Sequence, residues 1–281
     1  LQKIAILTDS GCDLSKEILK KYNINLIPFR IIYKEKEYLD RLEISPDEVY
    51  SKLSEEIPTT SLPDMEYANN LLCKLKDEGY THIISINISS ALSGTYNSLR
   101  FVLENHPELT SYIFDTKTLS MMEGNTVLEA AKMVQKGCSY EDIVAALPKI
   151  QEKMTGFFTL DTLEYLKKGG RIGKVAGTIA ELLNLKPIIS VGEDGSYYTY
   201  SKARGRKQAL SKLKQIVENF SSKGKCKICV LEGGAREDGE KMQEILSSYS
   251  NIEECRLEKI GPALGVHTGP GLIGVCIEKG F

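Results

Sequence analysis

The chain has no tryptophan, only three histidines in 281 residues, and no excess of charge of either sign. Its 36 Lys and Arg stand against 38 Asp and Glu, for a net charge of -2. That balance argues against broad binding to nucleic acid or to an anionic membrane, leaving only local basic patches to consider. The histidines, His82, His106 and His267, are far apart and fall into no H-E-x-x-H or zinc-ligand spacing, and no EF-hand loop is present. No metal site and no cofactor are expected. The longest stretch without a charged residue, 79–99, is rich in Ser, Thr and Asn and makes no membrane span. The first residues lack the long apolar core of a secretion signal, so a cytoplasmic protein is expected. The seven cysteines are odd in number and scattered, which fits reduced thiols. Cys226 and Cys229 form the only C-x-x-C pair, but they sit in an apolar run that reads as a buried strand. A separation of three sends their side chains to opposite faces of such a strand.

What is present describes an ordinary globular protein, 42% hydrophobic and 26% charged. A chain of this length buries roughly 70–75% of its unfolded surface and needs no disulfide or metal staple. It also exceeds the usual size of one domain. In the first half, strand-like runs at 3–7, 25–32, 82–88 and 112–114 alternate with helical patterns at 15–22, 46–53, 65–76 and 127–135, and another helix ends near 104. Ser45 is a good N-cap for the second of these helices. The alternation predicts a mostly parallel sheet with helices on both faces. The second half has strands at 156–160, 188–191, 197–201, 228–231, 254–260 and 272–277 with a helix at 207–220, which predicts a mixed sheet with helices. Asp194-Gly195 signals a hairpin. Pro148 and the polar Gln151-Glu152-Lys153 mark the expected boundary, giving α/β domains at 1–151 and 152–281.

Ligands of an open parallel sheet bind beyond the carboxyl ends of its strands. Asp9-Ser10, Ser89 to Tyr96 and Asp115-Thr116 fall at that edge. Ser93-Gly94-Thr95 lies between a strand and a helix N-terminus, where unpaired N–H groups and the helix dipole attract an anion. The bland alternative is that these hydroxyls only cap helices. Thr59-Thr60-Ser61, between Pro58 and Pro63, reads as a loop whose neutral donors suit one carboxylate better than a polyphosphate. The segment 261–271, dense in glycine and proline, reads as a shaped loop whose backbone approaches a ligand closely. It carries His267 and Thr268, and there His267 is as much a candidate ligand contact as a structural residue.

The basic run Lys167-Lys168-Gly169-Gly170-Arg171-Ile172-Gly173-Lys174 invites a nucleotide reading and fails it. A P-loop needs G-x-x-x-x-G-K-[ST], and here Val175 follows Lys174 while Lys168 stands where the first glycine belongs. No G-x-G-x-x-G follows the first strand. Lys202, Arg204, Arg206 and Lys207 form a second basic cluster, a candidate phosphate or partner contact or simply a solvated face. Ser93 is not in G-x-S-x-G, so a nucleophile elbow is unsupported.

Taken together, Thr8-Asp9-Ser10, Thr60-Ser61-Leu62-Pro63, Ser89 to Ser98, Asp115-Thr116, Tyr165 to Ile172 and His267-Thr268-Gly269-Pro270-Gly271, in this order, resemble the DegV family. These are bacterial fatty-acid-binding proteins that serve as the lipid-carrying B subunit of fatty acid kinase. The resemblance runs nearly end to end. It implies two α/β domains and one buried long-chain fatty acid whose carboxylate is held by Thr60, Ser61 and Ser93, with Gly94, Thr95, His267 and Thr268 close by. It puts Arg171 at the mouth, facing the acyl phosphate or the kinase, with Lys202 and Arg204 as further contacts of that kind. The family often has a polar residue where this chain has Leu62.

The implied role is presentation, with no catalytic residue in the chain. A partner kinase brings ATP and magnesium, and the acyl phosphate passes to an acyltransferase of phospholipid synthesis. The rival reading is an acyl hydrolase or acyltransferase with Ser93 as nucleophile and His267 as its base, oriented by Asp115 or Asp9. A third is a sensor that binds a lipid only to change shape.

Overall fold

A computed structural model describes residues 2–178 and 185–280. The chain opens with β1 (Ile4–Asp9), α1 (Lys16–Lys21), β2 (Ile24–Ile27), β3 (Arg30–Ile32) and β4 (Glu37–Leu39). α2 (Pro46–Lys52), β5 (Thr59–Ser61), α3 (Met65–Asp77), β6 (His82–Asn87), α4 (Thr95–Glu104) and β7 (Thr110–Asp115) follow. α5 (Met121–Gln135) and α6 (Tyr140–Glu152) lead to β8 (Met154–Thr159), α7 (Glu164–Lys168), β9 (Leu185–Val191) and β10 (Tyr197–Arg204). The chain closes with α8 (Gly205–Ser221), β11 (Cys226–Gly233), α9 (Arg236–Ser247), β12 (Ile252–Lys259), α10 (Pro262–Thr268) and β13 (Leu272–Lys279).

Among the described residues the first sheet is parallel, in the order β2-β1-β6-β7. Alternate residues feed opposite faces. Ala5, Leu7 and Ile83 pack with Leu72 and Leu99 of α3 and α4, while Ile6, Ile84 and Ile86 join Val127 and Ala131 of α5. The second sheet is mixed, β10-β9-β8-β13-β11-β12, with only β11 and β12 parallel. α8 and α9 cover one face of it, and its other face joins the core of the first half. The expected α/β architecture is therefore present, and a small antiparallel sheet β4-β3-β5, absent from the sequence reading, is added to it.

α5 is the shared element. It packs on β1 and β6 from one side and on β8 and β13 from the other, so it is buried almost all round through its first eleven residues. Buried on every side, with Glu123, Asn125 and Thr126 among its buried residues, it lacks the one-sided apolar period that marks a surface helix, and it begins six residues before the predicted start at 127. Other expectations also shift. The apolar run at 25–32 splits at Pro28 into β2 and β3, which belong to different sheets. Pro148, read as part of the boundary between the halves, lies inside α6, which continues to Glu152 just before β8. Ser45 does cap α2, in a capping box with Glu48. The Asp194-Gly195 turn joins antiparallel β9 and β10, with Gly195 at φ +78°. Cys226 and Cys229 fall in separate core clusters, as opposite faces require.

Candidate functional site

Beyond the carboxyl edge of the first sheet lies a cavity of about 250 Å³. Its walls include Phe29 after β2, Ile88 after β6, Ser93 before α4, Leu119 before α5, Thr60 and Ser61 of β5, Arg171 after α7, and Ala263, Leu264 and His267 of α10. A narrower inner chamber of about 40 Å³ is walled by Met122, Phe158, Leu231, Ile260, Leu272, Val275 and Cys276, among others. Leu119, Tyr197 and Leu264 border both spaces. The cavity is thus polar at one end and greasy at the other.

Hydrogen bonds of the strand-end residues hold the polar end rigid. Asp9 is fully buried and accepts the N–H groups of Gly11 and Ile88 at 2.9 Å and the Asn87 amide at 3.1 Å, tying β1 to β6. Burial, only partly offset by these bonds, raises its pKa to about 6. Ser10 accepts the Phe29 N–H at 2.9 Å. Asp115 accepts the Ser90 N–H and hydroxyl and the Lys117 N–H, and Ser89 donates its N–H to the Thr118 carbonyl at 2.8 Å. The Asp-Ser and Asp-Thr motifs are therefore the joints of the strand-end turns. They position the wall of the cavity and do not enter it.

Inside the Ser89–Thr95 turn, Ser89 takes the N–H groups of Ala91, Leu92 and Ser93, and the Ser93 hydroxyl lies 2.8 Å from the Thr95 hydroxyl. The N–H groups of Gly94 and Tyr96, at the open end of α4, have no acceptor among the described residues. Ser93 lines the cavity; Thr95 is buried behind it as its support. Gly94 packs beneath Leu62, whose methyl groups would sit 3.5 Å from a Cβ there.

The supposed loop 58–63 contains a strand. β5 pairs with β3, setting Thr60 opposite Ile31 and Ser61 opposite Arg30. Alternation turns the two hydroxyls apart. Thr60 Oγ1 reaches His267 Nε2 at 2.6 Å, while Ser61 Oγ accepts from Arg30 Nη2 at 3.4 Å. Nothing in the sequence singled out Arg30, because its closeness to Ser61 is a product of strand register.

The supposed loop 261–271 contains a helix. Pro262 occupies the first turn of α10, where a missing N–H costs nothing. Two buried carboxylates take the N–H groups at its start. Asp13 accepts from Gly261 at 2.8 Å and pairs with Arg41 at 2.9 Å, and Asp40 accepts from Ala263 at 3.2 Å. Desolvation raises both acids, Asp40 to about 7. α10 packs on β3, β5 and α7, which brings His267 to Thr60. From this segment Ala263, Leu264 and His267 border the cavity.

Burial first, and the Arg171 charge second, lower the His267 pKa to about 4. The ring is neutral near pH 7. Its Nδ1 is buried without a partner among the described residues, beside Gly169, where any Cβ would collide with it. With the proton on Nε2 the orphan is a lone pair, and Nε2–H donates to Thr60, freeing the Thr60 O–H to point at a ligand. Arg171 donates to the Gly169 carbonyl at 2.6 Å and the Leu92 carbonyl at 3.3 Å and presents its guanidinium to the cavity.

Five of the predicted residues therefore share one wall, namely Thr60, Ser61, Ser93, His267 and Arg171. Thr268 instead borders the inner chamber, its hydroxyl bound to the Leu264 carbonyl at 3.0 Å. Lys202 and Arg204 sit on exposed positions of β10 and do not line the cavity. The hydrolase arrangement is not assembled. Ser93 pairs with Thr95 and His267 with Thr60, while Asp9 and Asp115 are committed to the strand-end turns. Among the described residues no His, Cys, Asp and Glu cluster could hold a metal, and no helix is long and apolar enough to cross a membrane.

A family model described as an uncharacterised protein family, DegV, matches residues 3–280. A DegV domain-containing protein of Clostridium perfringens is 50% identical over 99% of this chain and 99% of its own. A fatty acid-binding DegV family protein of Thermus thermophilus shares the fold at TM-score 0.91, with 29% identity over 99% of this chain and 100% of that one. A stearic acid-binding protein of Eubacterium ventriosum does so at TM-score 0.87, with 28% identity over 99% and 98% of the two chains. The chain belongs to the DegV family.

Proposed function

We propose that the protein binds one long-chain fatty acid, carboxylate outermost, and presents that carboxylate to a separate ATP-dependent kinase. The single observation that carries the first half is the cavity itself, a polar wall of hydroxyl, imidazole and guanidinium groups opening inward onto an apolar slot. The fatty-acid-binding relatives from Thermus thermophilus and Eubacterium ventriosum support it, since they match this chain from end to end.

Each part of the site has a physical task in this reading. Thr60 and Ser93 donate O–H bonds to the carboxylate, together with the open N–H of Gly94, while Ser61, its hydroxyl turned to the other face of β5, borders the same wall. His267 stays neutral and orients the Thr60 hydroxyl. Arg171, at the outer rim, balances the head-group charge and is the contact offered to an acyl phosphate or to the kinase surface. The tail is held by burial, at about 0.8 kcal/mol per methylene. A dry slot would also shield the acyl phosphate from hydrolysis until an acyltransferase of lipid synthesis receives it. A cytoplasmic location is part of the same proposal, as is the division into functional halves at 151/152.

Mass spectrometry of lipid extracted from denatured protein tests the ligand. Ser93→Ala and Thr60→Ala should each weaken retention by about 1.5–3 kcal/mol with the fold intact, the worth of one charge-assisted hydrogen bond. Equal lipid content in wild type and both variants would remove the head-group assignment. With purified kinase, His267→Ala should lower phosphorylation of the bound acid more than it lowers binding. The opposite ranking would remove His267 from the presentation step.

A further inference from the structure

Leu119, Tyr197 and Leu264 border both the outer cavity and the inner chamber, so they form a collar between the two. Tyr197 is braced by Phe158, ring centroids 5.3 Å apart at 70°. Leu264 is carried by α10. Leu119 is held in another way, through the residue that follows it. Ser120 has φ 55° and ψ -143°, a combination that only glycine adopts readily. Capping does not explain it, because the Ser120 side chain makes no cap bond to α5. Instead the strained conformation is locked by three hydrogen bonds. The Ser120 N–H donates to the Gly11 carbonyl at 2.7 Å, its hydroxyl to Asp13 Oδ2 at 2.6 Å, and its carbonyl accepts the Gly124 N–H at 2.8 Å. A residue forced into a glycine conformation immediately beside a collar marks a point whose position matters more than its local comfort.

The chamber beyond the collar has an adjustable floor. A Cβ at Gly156 would lie 2.7 Å from Met122 Sδ and 2.9 Å from its Cε, so the thioether occupies the room a side chain at 156 would take. Methionine is flexible enough to yield that room to a ligand.

Resting on the fatty-acid reading above, we propose that Leu119, fixed by the strained Ser120 backbone, determines how long a chain the protein accepts. Acids whose tails stop at the collar bind in the outer cavity alone. Longer acids pass Leu119 and displace the Met122 thioether from the space beside Gly156. The ligand class that follows is a straight acyl chain long enough to cross the collar, in preference to medium-chain acids.

The test is the affinity of saturated acids from about 10 to 18 carbons, read by competition with a fluorescent fatty acid on wild type, Leu119→Phe, Ser120→Gly and Gly156→Ala. Each buried methylene tightens binding about fourfold. Wild-type affinity should climb with length throughout. In Leu119→Phe it should stop climbing at the collar, with the longest acids losing on the order of 100-fold more than the shortest. An unchanged denaturant midpoint for each variant reports an intact fold. Gly156→Ala pushes Met122 into the inner chamber from the far side and should penalise only the longest acids. Ser120→Gly frees Leu119 and should tighten the longest acids alone. Length profiles parallel to wild type in all three variants overturn the inference and leave the fatty-acid reading standing, as does a loss uniform in length in both Leu119→Phe and Gly156→Ala. Absence of binding by wild type at every length overturns the fatty-acid reading itself, and this inference with it.

Discussion

At the outer end of the cavity Thr60, Ser93 and His267 arrive from three separate elements and depend on hydrogen bonds for their positions. At the inner end one face of α5 and one face of the second sheet enclose the space mainly with apolar side chains. The outer end is backed by charged groups taken out of water, Asp9, Asp13 and Asp40, each tied to backbone N–H groups. The inner end has a methionine facing a glycine. The contrast teaches where each kind of interaction is useful. Directional bonds fix a few atoms for a head group of constant shape, and soft packing accommodates a tail of variable length.

The sharpest way to break this comparison is to remove Asp13. Its carboxylate pairs with Arg41, accepts the Gly261 N–H at the start of α10 and accepts the Ser120 hydroxyl. Asp13→Ala leaves a largely buried guanidinium uncompensated, and should destabilise the fold by about 3–5 kcal/mol in denaturant melts. A loss below about 1 kcal/mol would mean that the outer end does not rely on its polar frame.

A somewhat smaller effect should appear with pH, and only at the outer end. Burial lowers the folded-state pKa of His267 to about 4, from an ordinary imidazole value of 6.5. Protonation therefore favours the unfolded chain. The contribution is absent above pH 6.5 and grows as pH falls toward 4, reaching about 3 kcal/mol. Asp9 and Asp40, raised to about 6 and 7 by burial, act in the opposite sense, favouring the folded state as pH falls. The readout is thus the difference between wild type and His267→Gln, which should widen against wild type through that window. A difference independent of pH would show that the imidazole is not held neutral by its surroundings.

The smallest effect should come from Leu62, which stands where the family pattern often has a polar residue. It is 37% exposed and rests on Gly94. Leu62→Ser should change stability by no more than about 0.5 kcal/mol and leave lipid retention nearly unchanged. A larger loss of retention would show that Leu62, which borders the cavity between Ser61 and Ser93, helps to hold the ligand.

The sequence made much of this legible where the signal was local. The Ser45 capping box, the Asp194-Gly195 hairpin and the opposite faces of Cys226 and Cys229 follow from residue type and period, and all three are found. The hydroxyl-rich turn before α4 is where its strand-to-helix position put it. The misses have a common physical cause. Thr59–Ser61 is too short and too polar to announce a strand, and becomes one only because β3 offers it an edge. The segment around His267 looks like a loop because of its glycines and proline; Pro262 at the first turn and two distant carboxylates make it a helix. α5 hid its start because both of its sides are buried.

The amino-acid order by itself determined the alternation of strands and helices, the hydroxyl-bearing turns and the absence of nucleotide and metal motifs, because each is written in neighbouring residues. Tertiary structure alone decided that Thr60 meets His267 across 207 positions, that Asp13 and Asp40 start α10, and that Leu119 stands between two chambers. Those relations depend on register, on burial and on the packing of α5 between two sheets. No local pattern encodes them, since each exists only once distant segments have excluded water together.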